Sequence, residues 1–322
     1  MVSEQPLVEA RNLTKTYPPR GSTAEFHAVD GIDFALERGE SFGLLGPNGA
    51  GKSTTMRMIA ATSPISGGSL RVLGMDPMTQ GPQIRARLGV VTQDDHLDNE
   101  LTVRENLHIY GRYFGLPRAV IRERATRLLD FAQLQEKAGD QVETLSGGMR
   151  RRLTIARSLI NEPDILLLDE PTTGLDPQAR HILWDRLFQL KQEGVTLILT
   201  THYMDEAEQL CDRLIVVDHG RIVAQGSPRE LIDRYATREV LELRFRLDER
   251  DTAAEKLRTS ALATGSVGRV EPLPDRVLVY TADGEAALAA VHAMSLTPLT
   301  ALVRRATLED VFLKLTGRSL IE

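Results

Sequence analysis

The sequence predicts an α/β chain in two parts: a largely parallel sheet with helices on its faces over residues 1–235, then a smaller α+β domain over 236–322. Three observations carry this prediction. Short apolar runs alternate with helix-period segments through the first part, as in a parallel sheet covered by helices. A glycine-rich turn at 46–51 joins one apolar run to a helix. Beyond about Tyr235 the order becomes β-α-β-β-α-β, the split ferredoxin-like arrangement.

In chain order, residues 7–11, 32–36 and 41–45 read as strands, and 52–61 as a helix that starts at the glycine-rich turn. Strands follow at 70–73 and 88–92. From Thr102 the period lengthens: Val103, Leu107, Tyr110 and Phe114 share one helical face. A second helix runs from Pro117 to about Phe131, and this helical block lasts until Leu145. A helix starts after Ser146-Gly147-Gly148, a strand covers 164–168, a helix 177–192, a strand 195–200 and a helix 203–210. Residues 214–217 and 221–224 form a hairpin through Asp218-His219-Gly220. In the second domain, strands at 240–247, 267–272, 276–280 and 299–304 alternate with helices near 252–263 and 285–294. A last helix at 308–315 is capped by Thr307 and Gly317.

Composition narrows the classes. With 42% hydrophobic and 26% charged residues among 322, the chain is globular. A net charge of −6 speaks against a nucleic-acid partner. Cys211 is the single cysteine, so an internal disulfide is excluded and a reducing compartment is expected. Met1-Val2-Ser3-Glu4-Gln5-Pro6 has neither a basic start nor an apolar run, so a secretory signal is not expected. No apolar stretch approaches the roughly 18 residues that span a bilayer. Any transmembrane path must come from another chain.

Two motifs carry chemistry. Gly46-Pro47-Asn48-Gly49-Ala50-Gly51-Lys52-Ser53, followed by Thr54, fits a phosphate-binding loop between strand and helix. Its glycines let N–H groups turn inward on phosphate oxygens, and the helix points its positive end at the same anion. Lys52 reaches the β- and γ-phosphates, and the Ser53 hydroxyl holds Mg²⁺. The second motif is the apolar strand Ile165-Leu166-Leu167-Leu168, ending in Asp169-Glu170. At the carboxyl end of the sheet these acids face the phosphate loop, Asp169 in the Mg²⁺ shell and Glu170 on the attacking water. Neighbouring side chains on a strand point apart, which lets Glu170 address a different point.

Leu145-Ser146-Gly147-Gly148-Met149, at a helix start, completes a resemblance to the nucleotide-binding subunits of ATP-binding cassette transporters, covering residues 7 to about 235. The resemblance implies a P-loop NTPase cassette with a helical subdomain at about 100–146, with ATP and Mg²⁺ as cofactors. Ser146, Gly147 and Gly148 then complete the ATP site of a second copy in a head-to-tail dimer, an inference that also follows from finding a second anion site on a chain that has its own phosphate loop. Tyr17 matches the aromatic residue that stacks on adenine, or else is an ordinary tyrosine at a strand end before a long loop at 18–24. Gln93 matches the glutamine that senses Mg²⁺ and faces the membrane subunit. Asp176, in Gly174-Leu175-Asp176, matches the loop that communicates across the dimer, and His202 the histidine on the γ-phosphate. Met149 departs from the family's usual glutamine and removes a polar contact in trans.

The C-terminal run from Leu308 to Arg318 resembles drug- and lipooligosaccharide-exporter ATPases, and Gly111-Arg112-Tyr113-Phe114-Gly115, Arg180-His181-Ile182-Leu183-Trp184 and Cys211-Asp212-Arg213-Leu214 resemble the nodulation-factor exporter class within them. That implies an ATPase at the cytoplasmic face of the membrane, peripheral, bound to an integral membrane permease. The acidic segment 94–100 is a candidate docking loop for it. The rival reading is a soluble cassette ATPase acting on a ribosome or nucleic acid. Arg150-Arg151-Arg152 with Arg157 would suit it, but consecutive arginines on a helix point in different directions, which fits a solvated face or support for nearby phosphates instead. The C-terminal domain is read as structural or dimer-stabilising, with a small-molecule sensor as the alternative.

Overall fold

The computed structural model describes residues 5–18, 25–263 and 267–317. Residues 1–4, 19–24, 264–266 and 318–322 lie outside them, and with them most of the expected loop at 18–24 and Arg318. The chain divides into two units, Met1–Ser227 and Pro228–Glu322.

The first unit holds two sheets. Strand β1 (Val8–Tyr17) lies between β2 (Phe26–Leu36) and β4 (Gly67–Val72) in a three-stranded antiparallel sheet. The sequence pattern showed only parts of these strands, because bulges interrupt the register of β1 between Ala10 and Thr14 and break its alternation. The second sheet has the order β5 (Leu88–Val91), β6 (Ile165–Asp169), β7 (Thr196–Thr201), β3 (Ser41–Leu45), β8 (Arg213–Asp218), β9 (Arg221–Gly226). It is parallel except for β9, the return strand of the hairpin. All residues of β3 and β7 are buried, as continuous apolar runs covered on both faces require.

Helix α1 (Lys52–Ile59) packs Met58 and Ile59 into one core with Leu13 and Ile32 of the antiparallel sheet and Leu44, Leu167 and Ile198 of the parallel one. Each such fully buried side chain contributes about 1.5–3 kcal/mol. Helix α2 (Gly81–Arg85) was not foreseen; at five residues it is too short to show a period.

Helices α3 (Val103–Tyr113) and α4 (Arg118–Phe131) form the helical block. Thr102 and Glu105 make a reciprocal capping box, the Glu105 N–H donating to Thr102 Oγ1 at 3.2 Å and the Thr102 N–H to Glu105 Oε2 at 2.9 Å. The expected apolar face is half right. Val103 and Leu107 are buried, but Asn106 and Gly111 take the other inward places, and Tyr110 and Phe114 border a cleft instead. A Cβ at Gly111 would lie 2.9 Å from Ile121, so only glycine lets α3 and α4 pack this closely. Helices α5 (Gly147–Ser158), α6 (Pro177–Gln192) and α7 (Met204–Leu210) complete the unit.

In the second unit, helix α8 (Pro228–Tyr235) precedes a four-stranded antiparallel sheet of order β11 (Val267–Pro272), β12 (Val277–Thr281), β10 (Glu239–Arg244), β13 (Thr300–Arg305). With α9 (Leu247–Ala263) and α10 (Gly284–Ala293) in the connections, this is the expected β-α-β-β-α-β order. Strand β10 stops at Arg244, three residues before the expected end, and Leu247 already opens α9. One face of the sheet packs Leu241, Leu243, Val277 and Val279 against Ala254 and Leu257 of α9 and Ala287 and Val291 of α10. The other packs Val240, Leu278 and Tyr280 against Ile232 of α8 and Leu313 of α11 (Leu308–Thr316). That contact explains why the division falls after Ser227 and not at 235: α8 belongs to the second core. Thr307 and Gly317 flank α11 as expected, Gly317 at φ 69°.

Candidate functional site

The parallel register brings the chemistry together. Leu45 pairs with Thr201, and Asp169 with Thr200, so β3, β6 and β7 end at one level. The phosphate loop leaves β3 there, Glu170 follows β6, and His202 follows β7. The loop's backbone needs glycine. Gly49 has φ 80° and Gly51 φ 106°, and a Cβ at Gly51 would sit 2.2 Å from Ala28 O.

Lys52, 4% exposed, donates to Gly46 O at 2.7 Å and Pro47 O at 3.0 Å, and its Nζ lies 3.6 Å from Glu170 Oε1. Burial lowers the Lys52 pKa, against the raising effect of Glu170 and Asp169. The Ser53 hydroxyl donates to Asp169 Oδ1 at 3.1 Å, and the Thr200 hydroxyl donates to the same oxygen. Thr200 was not foreseen from the sequence; its contact depends on the β6–β7 register, which no local pattern shows. Serine hydroxyl and carboxylate oxygens are the hard donors that Mg²⁺ selects, so these residues fit that ion.

Glu170 lies beyond the strand, not on it, and strand alternation therefore does not aim it. Its backbone has φ 46°, a left-handed conformation that costs a non-glycine residue on the order of 1–3 kcal/mol. The Glu170 N–H donates to Thr200 O at 3.1 Å and Thr200 Oγ1 at 3.0 Å, which holds that conformation. Its carboxylate accepts from Thr173 Oγ1 at 3.2 Å, and His202 Nδ1 lies 3.2 Å from Glu170 Oε2, outside hydrogen-bond geometry.

Asn48, Gly49, Gly51, Lys52, Ser53, Thr54, Gln93, Glu170 and His202 line one cleft of about 470 Å³. Gln93 also borders a larger groove of about 970 Å³ with Asp94, His96, Tyr110, Tyr113 and Phe114, so it stands where the two meet. Tyr17 is not among the residues that line the nucleotide cleft. Phe26, its register partner on β2, is, and it is 58% exposed. The signal that could have found Phe26 is an aromatic residue two positions past the expected loop at 18–24.

The signature segment lies elsewhere. Ser146 caps α5 by accepting from the Met149 N–H at 3.3 Å, and Asp176 caps α6 by accepting from the Ala179 N–H at 2.9 Å. Ser146, Gly147, Gly148 and Asp176 line a separate cleft of about 370 Å³ that shares no lining residue with the first. A Cβ at Gly147 would meet nothing within 4 Å, so that helix start is open to an approaching group.

Comparison with known proteins gives concordant results. A family model described as ABC transporter matches residues 29–173, and one described as Nodulation factor export protein NodI, C-terminal domain, matches residues 254–317. The chain is 47% identical over 323 residues to the Nod factor export ATP-binding protein I of Ralstonia nicotianae, covering 99% of this chain and 96% of that one. It is 48% identical over 314 residues to the protein of the same name from Cupriavidus pinatubonensis, with coverage of 98% and 92%. Among solved structures, a dimeric ATP-binding cassette in a post-hydrolysis state with ADP and Pi superimposes with a TM-score of 0.62 at 27% identity, covering 68% of this chain and 98% of that one. A component of an ABC transporter complex from Clostridium perfringens gives a TM-score of 0.64 at 28% identity, with coverage of 81% and 98%.

Proposed function

The chain belongs to the ATP-binding cassette transporter family, as an ATP-hydrolysing subunit that uses ATP and Mg²⁺ to drive export, and from that premise we propose how its residues divide the work. The observation that carries the proposal is the convergence of Lys52, Ser53, Asp169, Glu170 and His202 at the ends of three adjacent strands.

The N–H groups of residues 46–53 and the start of α1 cradle the phosphates of ATP, with Thr54 at the same helix start. Lys52 leaves the carbonyls of Gly46 and Pro47 and turns its charge on the β- and γ-phosphates. Ser53, Asp169 and Gln93 hold Mg²⁺, which when bound neutralises phosphate charge. The Glu170 carboxylate takes a proton from the attacking water; the water oxygen bonds to the γ-phosphorus as the bond to the bridging oxygen of ADP breaks. His202 orients the γ-phosphate. Tyr17 takes the adenine face, with Phe26 on the cleft side.

Because the Ser146 cleft is separate from the Lys52 cleft, we place Ser146, Gly147, Gly148 and Asp176 of a second copy on the phosphates, in a head-to-tail dimer with two ATP molecules. Met149 contributes no polar ribose contact there. No helix among the described residues is long and apolar enough to cross a membrane. The relatives' names as export ATP-binding proteins support an integral membrane permease as the partner that supplies the path, with this chain peripheral at its cytoplasmic face.

The docking surface is the groove beside Gln93 and the segment 94–100. Leu97, 8% exposed, roots that segment, and Asn106 braces it by accepting from the Asp98 N–H at 3.0 Å and donating to Asp98 O at 2.9 Å. Asp94 and Glu100 stay exposed. Charge reversal at both, in cells that also express the permease, stops efflux and leaves ATP turnover of the purified chain intact. Normal efflux would contradict this surface.

A further inference from the structure

Arg151 lies on α5, one turn past the signature glycines, and is 7% exposed. Its Nε donates to Pro171 O at 2.7 Å. One terminal nitrogen donates to Thr92 O at 2.5 Å and Gln93 O at 3.3 Å. The other donates to Asp169 O at 3.2 Å and Glu170 O at 3.3 Å. Five carbonyls, two from the segment after β5 and three from the end of β6 and the residues after it, thus converge on one guanidinium. The first segment carries Gln93; the second carries Asp169, the last residue of β6, and Glu170. Arg157, further along α5, takes the next carbonyls of the first segment, donating to Asp95 O at 2.9 Å and His96 O at 2.7 Å, with its guanidinium 4.8 Å from the Tyr110 ring. Of the two readings of these arginines, a solvated face or support for nearby phosphates, the solvated face fails at Arg151, which is an internal tie.

A planar guanidinium meets several carbonyls at fixed angles, whereas an ammonium offers a single point of charge. Glu170 also sits in a costly backbone conformation, which persists only where its surroundings hold it.

We propose that Arg151 is a positioning residue for hydrolysis: it fixes the backbones of Gln93 and Glu170 on one rigid group, so that the groove-side loop and the base move together. This rests on the reading of Glu170 as the base. A shift of the 92–96 loop then reaches Glu170 through one side chain, without passing through the phosphate loop.

The test measures ATP turnover and, separately, ATP affinity for the full chain with Arg151→Met and Arg151→Lys. Turnover of Arg151→Met is expected to fall about ten- to hundredfold, as for a displaced catalytic group. Its ATP Kd stays within about threefold of the parent, and Arg151→Lys recovers part of the turnover. If the Met variant does not fold, the Lys variant decides: reduced turnover with an unchanged Kd supports the proposal. Turnover within about twofold of the parent in the folded variants overturns it, as does a parallel loss of turnover and affinity, the mark of a merely structural role. A double variant with Glu170→Gln is expected to be no slower than Glu170→Gln alone, because both act on one group; a further fall by the full Arg151→Met factor contradicts that. Near-normal turnover in Glu170→Gln alone would remove the base assignment by itself, and the Arg151 measurements in the otherwise unaltered chain would still decide this proposal.

Discussion

Lys52 Nζ lies 3.6 Å from Glu170 Oε1, so the cation for the phosphates, which is buried, and the carboxylate for the water, which is partly exposed, share one corner. The pair links the two motifs: removing the lysine deprives the phosphates of a positive charge and leaves the carboxylate without its cation. Lys52→Ala should lower ATP turnover by at least about a hundredfold, the loss typical when a transition-state charge partner is removed, and should weaken nucleotide affinity. Steady-state turnover and equilibrium nucleotide binding check this. Unchanged turnover in the purified variant would remove Lys52 from the site.

The two separate clefts give a complementation test. Lys52→Ala destroys one chain's phosphate loop, and Ser146→Arg blocks the signature that the same chain offers to its partner. Each variant alone is expected to be inactive. Mixed, they form heterodimers in which one of the two sites has an intact loop and an intact signature, so part of the activity returns. No return, with heterodimers shown to form, would argue for a site built within one chain.

The sequence made the local parts of this site legible and hid the distant ones. Gly46 through Ser53 are contiguous, and strand, turn and helix each leave a local pattern, so their place in the structure was expected. Asp169 and Glu170 were legible as acids at a strand end. How Glu170 is aimed was not, because its left-handed backbone depends on Thr200, a residue on another strand. Arg151 read as part of a solvated face or as support for nearby phosphates, since nothing in its neighbours' identities reveals five carbonyls gathered by other segments. The antiparallel sheet of the first unit was only partly legible, because bulges erase the two-residue alternation of β1.

The second unit offers a stability prediction. Asp310, 2% exposed, accepts from Arg304 at 2.7 and 3.0 Å, from Tyr280 Oη at 3.1 Å and from the Thr307 N–H at 2.8 Å. Burial alone would raise its pKa, but Arg304, Thr307 and Tyr280 together hold it below the ordinary carboxylate value. Asp310→Ala takes from Arg304 its two short hydrogen bonds, leaving it Glu242 at 3.6 Å, and takes from Tyr280 its acceptor; it should cost about 3 kcal/mol, measured by chemical denaturation of the full chain. A carboxylate with a depressed pKa stabilises above its unfolded value and loses that contribution as pH falls through its folded value. The gap between parent and variant should therefore shrink below about pH 3.9. An equal gap at pH 7 and in strong acid would show that the charge of Asp310 contributes nothing.

The account rests most heavily on Glu170 as the base that starts hydrolysis. The most direct measurement is ATP turnover of Glu170→Gln beside its ATP affinity and its size in solution with Mg²⁺ and ATP. The substitution keeps shape and removes the proton acceptor. Turnover is expected to fall by about a hundred- to ten-thousandfold, with ATP still bound and a dimer persisting by size. Turnover close to that of the parent chain would contradict the account and move the role elsewhere, with His202 the next candidate.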